Sequence, residues 1–189
     1  MGTSTRTQTR RLLTLRGGTF LIIYNLIEAS VRGAIDAIHD RIVTEQVPFE
    51  LLSLGLRTEV VRRFKRDADP AIHHAMTDLP SAFVAVALDQ GITLSGNVDA
   101  RYIRELGACY GFSCDTTNDK TWGGSDLVTI KSNRNTLAHG EQTFEEVGRD
   151  YPAQELLAIS RRSLAFMNEI LGNIEGYLDD KGYRDKPLA

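Results

Sequence analysis

Cysteine is scarce in this chain. Among its 189 residues only Cys109 and Cys114 carry thiols, and no histidine cluster lies near them in the sequence. Small proteins stapled by disulfides contain more cysteines, and a structural zinc site needs four ligands at characteristic spacings. Neither a disulfide framework nor a zinc site is therefore supported. We predict two reduced thiols in a protein that uses no metal and no cofactor.

Excess positive charge is also lacking. The chain has 22 Lys and Arg against 25 Asp and Glu, a formal net charge of −3. Any contact with nucleic acid must then come from a local patch, and a protein that coats DNA non-specifically is disfavoured. A basic N-terminal segment either contacts RNA phosphates or, as short basic tails usually are, is simply solvated. Its arginines are Arg6, Arg10, Arg11 and Arg16.

No hydrophobic run is long enough to span a bilayer. The apolar stretch from Phe20 to Leu26 is much shorter than the roughly 20 residues that a membrane helix needs. The polar, basic start of the chain also lacks the apolar centre of a secretory signal. We therefore predict a cytoplasmic protein that makes no membrane contact.

Helical periodicity is abundant. From about Leu12 to Thr44, apolar residues recur every three or four positions, which predicts a long amphipathic helix. These residues are Phe20, Ile23, Ile27, Val31, Ala34, Ile38 and Ile42. A second stripe of mostly small residues would let another helix approach closely, from the same chain or from a second copy. It consists of Ile22, Leu26, Ala29, Gly33 and Ala37.

A narrow polar sector of the same helix either faces solvent or lines a site. It holds Asn25, Glu28, Arg32, Asp36 and His39, and we predict that His39 is a solvated member.

The middle of the chain predicts shorter elements. Pro48 and Glu50 suit the first turn of a helix to about Arg66, and Asp69 with Pro70 starts a short third helix. We expect His73 and His74, near the end of that helix, to be exposed. The run AFVAVAL at 82–88 predicts either a short strand or a buried helical turn, followed by irregular chain.

Helical spacing returns between Asp99 and Tyr110, and residues 118–125 are predicted to form a loop. In that loop Trp122 either stacks on a base or, as we favour, anchors the loop to the core. Ser125 or Asp126 then caps a helix that runs through His139 and stops at Gly140. A final helix is predicted to open at Pro152.

The length supports one domain. We predict a basic flexible tail over 1–11, a single helical domain over 12–180 and a C-terminal tail over 181–189. The fold class is all-α: a helical bundle with long first and last helices and a short irregular insertion between helices.

The segment DLVTIKSNRNTLAHGEQTF, residues 126–144, has the most distinctive composition. On a helix, Asn135 and His139 lie on one face because they are four residues apart, and Ser132 lies close to that face. Arg134 falls instead among apolar neighbours, so a partly buried guanidinium there requires an acceptor. Glu28 of the first helix is the candidate for that acceptor.

The core of this segment, Arg134 to His139, resembles the R-x4-H motif of HEPN proteins. The form RNTLAHG is similar to the version found in a prokaryotic MAE-type HEPN subfamily. The resemblance extends to FLIIYNLIEASVR, to SGNVDARYIRELGACYGFS and to the segment from Thr143 to Leu178, and it covers about residues 12–178.

This resemblance implies a helical HEPN fold, a homodimer that brings two motif helices together, and metal-independent endoribonuclease activity on RNA. Arg134 and His139 would be the catalytic pair, with Asn135 at the polar position that often follows the motif arginine. From their positions on the helices, we predict Glu28, Arg32 and Ser132 as supporting residues. HEPN toxins paired with a nucleotidyltransferase antitoxin carry a tyrosine two residues after the histidine. Here that position is Glu141, which argues against regulation by nucleotide transfer.

Two other functions remain open. One is a non-catalytic RNA-binding and dimerisation module that serves a partner protein. The other is an ordinary helical interaction protein with a chance motif, which would show no ribonuclease activity. An endoribonuclease could act as a toxin or in anti-phage defence, with an antitoxin or operon partner protein.

Overall fold

The computed structural model describes residues 2–67, 79–89, 91–92, 94 and 96–185. Over this part of the chain the fold is all-α, which confirms the predicted class. The helices are α1 (Gly2–Thr44), α2 (Leu54–Asp67), α3 (Leu79–Asp89), α4 (Ala100–Tyr110), α5 (Asn118–Thr121), α6 (Asp126–Ala138), α7 (Phe144–Asp150) and α8 (Ala153–Asp179). Within the described ranges β-structure is limited to an isolated bridge between Leu52 and Arg184.

Helix α1 is longer than its apolar pattern predicts. It begins at Gly2 and not near Leu12, so described residues of the expected basic tail are helical. Arg10, within that segment, forms an ion pair with Glu145 at 2.9 Å.

Two glycines explain why α7 approaches α1 so closely. A Cβ at Gly148 would lie 1.9 Å from the Leu13 carbonyl oxygen, and one at Gly17 would lie 2.3 Å from that of Phe144.

The predicted second helix is confirmed in part. Pro48 starts a single 3₁₀ turn, Phe49–Leu51, and α2 begins only at Leu54. The predicted third helix at Asp69, with His73 and His74, lies outside the described residues. The ambiguous run at 82–88 is helical and belongs to α3.

The prediction of a loop at 118–125 is wrong. This segment forms α5 and a 3₁₀ turn, Trp122–Gly124, in which Thr121 is fully buried. Trp122 is 54% exposed, so it does not anchor the segment to the core as we predicted. The predicted end of α6 is confirmed, because His139 is its C-cap and Gly140 adopts a positive φ of 69°.

The contacts of the chain divide it into two compact units. The first consists of Met1–Ser30, Ser95–Tyr102 and Thr116–Glu169, and the second of Val31–Leu94, Ile103–Asp115 and Ile170–Ala189. The prediction of a single domain over 12–180 stays a prediction. Part of the expected C-terminal tail is packed, since Tyr183 is fully buried in the second unit.

The core of the first unit includes Phe20, Tyr24, Ile27, Leu127, Ile130 and Phe166, and that of the second includes Ile35, Ile38, Leu56, Ile103, Tyr110 and Tyr183. His39 is also in the second core, with 3% exposure, so the prediction that it is solvated is wrong. In the described part of the chain, no helix combines the length and apolar character needed to cross a membrane.

Candidate functional site

Helix α6 carries the motif and is fixed along its length. Its buried Leu127, Ile130 and Leu137 recur at helical spacing and hold one side of the helix in the core of the first unit. At the first turn, Asp126 accepts two hydrogen bonds from Arg162, at 2.5 and 3.1 Å. The motif residues therefore project from an element whose rotation and position are set by packing.

The Arg134 guanidinium is half-buried and oriented by two neighbours. Its Nη1 donates to Oδ1 of Asn135 at 2.9 Å, and its Cζ lies 4.6 Å from the centre of the Tyr24 ring. A Cβ added at Gly96, which has φ +73°, would approach Nη1 to 3.3 Å. The cation thus rests on an aromatic face and against a glycine of the segment before α4, with an amide as its hydrogen-bond acceptor.

The segment before α4 is tied to α6 by a buried carboxylate. Asp99 accepts from the Tyr102 backbone N–H at 3.0 Å, which caps α4, and forms an ion pair with Lys131 of α6. Burial opposes ionisation of Asp99, but the hydrogen bonds from Lys131 and Tyr102 outweigh it and lower the pKa of the carboxyl. This connection places Asn97 next to Asn135. The Asn135 Nδ2 donates to the Asn97 Oδ1 at 3.4 Å.

Tyr24 links α1 to the same group. Its hydroxyl accepts from the Val98 backbone N–H at 3.1 Å. Burial raises the pKa of this hydroxyl, the Val98 hydrogen bond opposes the rise, and hydrogen bonding to the Glu28 carboxylate adds to it. Glu28 therefore reaches the cluster through Tyr24, the residue on which Arg134 rests. A direct ion pair between Glu28 and Arg134 stays a prediction.

His139 is exposed at the C-terminal end of α6. Its backbone N–H donates to the Asn135 carbonyl at 2.9 Å, so the two residues stand one turn apart, on the face expected from their spacing. Ser132 is exposed on the same helix. Arg32 lies in the second unit, where it donates to the Ile92 carbonyl at 3.5 Å. The structure thus groups Arg134, Asn135 and Glu28 around Tyr24.

Sequence reasoning did not identify Tyr24, Gly96 or Asn97 as site residues. Two of the segments that carry the family resemblance contain them, FLIIYNLIEASVR and SGNVDARYIRELGACYGFS. The signal was therefore present, but a periodicity argument treats Tyr24 as an ordinary core residue. Asn97 is 38 residues from Asn135 in sequence, a separation that no local pattern detects.

The cysteines are both free. Burial raises the pKa of the Cys109 thiol, and the Glu59 carboxylate adds to that rise. Burial also raises the pKa of Cys114. Raised thiol pKa values disfavour the nucleophilic thiolate. Among the residues that the structure describes, no group of three or more His, Cys, Asp and Glu side chains is arranged to hold a metal ion.

Comparison with known proteins identifies a family relationship. The model of the family described as HEPN_MAE_28990-like HEPN matches residues 3–183. No curated protein and no solved structure matches the chain.

Proposed function

Because the chain belongs to the HEPN_MAE_28990-like HEPN family, we propose that it is a metal-independent endoribonuclease built around Arg134 and His139. HEPN domains are generally ribonucleases or RNA-binding, nuclease-like modules. The observation that carries the proposal is the setting of Arg134. Its guanidinium is oriented by Tyr24 and Asn135, and the exposed His139 stands one turn beyond Asn135 on the same helix.

The chemistry of these groups suits cleavage by the neighbouring 2′-hydroxyl. A base removes the 2′ proton, the 2′ oxygen attacks phosphorus, and the bond to the 5′ oxygen breaks as an acid protonates that oxygen. The products are a 2′,3′-cyclic phosphate and a 5′-hydroxyl. Imidazole serves either proton transfer near neutral pH, and the Arg134 guanidinium offers paired donors to the phosphate oxygens as negative charge develops.

A homodimer would supply both proton-transfer groups, because each chain has one motif histidine and the reaction needs a base and an acid. Exposed apolar side chains on α1 support self-association. Ile22 is 71% exposed and Leu26 is 49% exposed, and both belong to the small-residue stripe. Light scattering should report twice the 21.0 kDa chain mass. A monomer throughout the micromolar range would contradict the dimer.

The proposed setting is the cytoplasm, where the enzyme would act on RNA as a toxin or in anti-phage defence, restrained by an antitoxin or another operon partner. Glu141, at the position where some HEPN toxins carry a modified tyrosine, is exposed and has no hydroxyl to accept a nucleotide. Regulation by nucleotide transfer onto a tyrosine at this position is therefore disfavoured. The identity of the adjacent gene tests this role.

The decisive experiment is cleavage of single-stranded RNA in EDTA, with the ends of the products determined. His139→Ala, purified in parallel, controls for contaminating ribonucleases. We expect cyclic phosphate and 5′-hydroxyl ends with the native protein alone. Activity that disappears with EDTA and returns with magnesium would refute the mechanism. RNA binding without cleavage would favour the non-catalytic binding and dimerisation module.

A further inference from the structure

Trp122 is held at the surface in an unusual conformation. Its side chain is 54% exposed, and its backbone adopts φ 47° and ψ 34°, in the left-handed region. Bulky residues rarely adopt this region, and a tryptophan usually buries most of its surface. Neither packing nor backbone preference explains the placement, and conformations of this kind concentrate at functional sites.

The turn around Trp122 is rigidly supported. On one side Thr121 is fully buried, and its hydroxyl accepts from the Gly123 N–H at 3.1 Å and donates to the Thr117 carbonyl at 3.0 Å. On the other side, Gly124 (φ +76°) packs so closely that a Cβ there would lie 2.8 Å from that of Ala100. Both flanks are therefore anchored while the indole between them stays at the surface.

One face of the indole is covered by an arginine that is itself fixed. The Arg162 Cζ lies 3.6 Å from the centre of the Trp122 ring. The Arg162 guanidinium also donates two hydrogen bonds to the buried Asp126 carboxylate, at 2.5 and 3.1 Å, which fix its position over the ring. A ring that is supported on one face and more than half exposed has its other face available for stacking.

We propose that the exposed face of Trp122 binds a base of single-stranded RNA by stacking, as a subsite of the proposed ribonuclease. Every nucleobase has a flat π-face, so such a platform accepts bases with little sequence preference. Asp126, which anchors the platform through Arg162, stands eight residues before Arg134 on α6, a rise of about 12 Å. A few nucleotides span that distance, so one strand would reach both the platform and the phosphate-binding Arg134.

This inference rests on the proposed function, because it takes RNA as the ligand. The alternative occupant of the exposed face is a second copy of the chain. The two differ in what changes the environment of the indole. Stacking responds to RNA at constant protein concentration, whereas an interface between copies responds to protein concentration without RNA.

Trp122 is the sole tryptophan of the chain, so intrinsic tryptophan fluorescence reports on this ring alone. The probe is a short single-stranded oligoribonucleotide with 2′-O-methyl riboses, which removes the attacking hydroxyl and prevents cleavage. We expect saturable quenching with the same midpoint as binding measured by anisotropy. Much weaker quenching is expected from a duplex of the same length, whose bases are already stacked.

Variants supply an independent measurement. Trp122→Leu should weaken oligonucleotide binding roughly 5- to 150-fold, the range typical of losing one stacked base. Trp122→Phe, which keeps an aromatic face, should retain most of the affinity. Leu157→Ala is the matched control, because Leu157 is 49% exposed on α8 and has no proposed role. Thermal melting checks that each variant is folded.

The outcomes separate this inference from the proposed function. If the oligonucleotide binds without changing the emission of the native protein, or if Trp122→Leu binds it normally, the platform is refuted while His139-dependent cleavage can still stand. Emission that changes on dilution without RNA would assign Trp122 to an interface between copies. If the protein neither binds nor cleaves RNA, both proposals fail. Should Trp122→Leu not fold, the fluorescence titration of the native protein still decides.

Discussion

Two groups of side chains in this molecule combine an arginine, a tyrosine and a histidine. In the second unit, Arg63 is 4% exposed and donates to Glu59 at 2.7 Å and to the Tyr110 hydroxyl at 3.1 Å. The same hydroxyl hydrogen-bonds His39 Nε2 at 2.9 Å. In this buried cluster, which we define as His39, Glu59, Arg63 and Tyr110, the cation has a carboxylate partner.

The motif cluster of the first unit, which we define as Tyr24, Arg134, Asn135 and His139, is organised differently. Arg134 uses the ring of Tyr24 and not its hydroxyl, and its hydrogen bond goes to the neutral amide of Asn135. His139 is exposed at the end of α6, whereas His39 is almost fully covered. An arginine neutralised by a buried carboxylate is suited to holding a fold together, whereas a half-buried arginine that rests on an aromatic ring and an amide is suited to binding an anion.

Burial, and not residue type, therefore distinguishes the buried cluster from the residues proposed as the site. Changes in the buried cluster should affect stability and leave chemistry alone. Changes at the exposed His139 should do the reverse.

The largest effect is expected at His139. His139→Ala should lower the rate of RNA cleavage by roughly 10²- to 10⁴-fold, because it removes a general acid or base. The melting temperature and the mass in solution should be nearly unchanged, since the side chain is exposed and contributes little packing. Gln142→Ala, another exposed residue just beyond the helix, is the control. Cleavage by His139→Ala at the native rate would break the assignment of the nuclease to this motif.

The next largest effect is expected at Glu59, and it concerns the stability of the fold and not the rate of cleavage. Glu59→Gln should destabilise the fold by about 3–5 kcal/mol, because it leaves the buried Arg63 cation without its carboxylate. Urea unfolding measures the loss, and cleavage per folded molecule should not change. Glu45→Gln is the matched control, since it breaks the more exposed pair with Arg184 and should shift the transition little. Equal shifts would contradict the distinction between buried and exposed pairs.

A smaller effect concerns pH and His39. Burial, followed by the Arg63 charge, lowers the pKa of His39 to about 3, although Glu59 opposes this. Between pH 6.5 and pH 3 the unfolded chain therefore binds more protons than the native protein. Over this range the free energy of unfolding decreases as the pH is lowered, and His39 contributes at most about 1.4 kcal/mol per pH unit to that decrease. His39→Gln cannot titrate, so its melting temperature should fall less than that of the native protein over that range. If the melting temperatures of His39→Gln and of the native protein fall equally over that pH range, His39 is not the group responsible.

Much of the fold follows from local sequence patterns, whereas the details of both clusters do not. Apolar spacing and the cap at Gly140 predict α6 correctly, because helix boundaries depend on adjacent residues. The prediction that His39 is solvated is wrong because the pattern of α1 alone places it in a polar sector. The side chain is covered by Tyr110, which is 71 residues away in the sequence. The role of Tyr24 beneath Arg134 is equally non-local, and the exposure of Trp122 depends on a backbone conformation that its own side chain disfavours.

The smallest predicted effect tests whether Arg134 contacts phosphate. If its guanidinium binds one phosphate of a single strand, its loss should reduce the slope of log affinity against log salt concentration by about 0.7. Arg134→Ala should show this reduction with the uncleavable oligonucleotide, together with weaker binding, while Arg134→Lys retains the charge and the slope. Arg161→Ala removes the same charge from an exposed position on α8 and should leave the slope unchanged. An unaltered slope in Arg134→Ala would mean that this arginine, like Arg63, serves the fold and not the ligand.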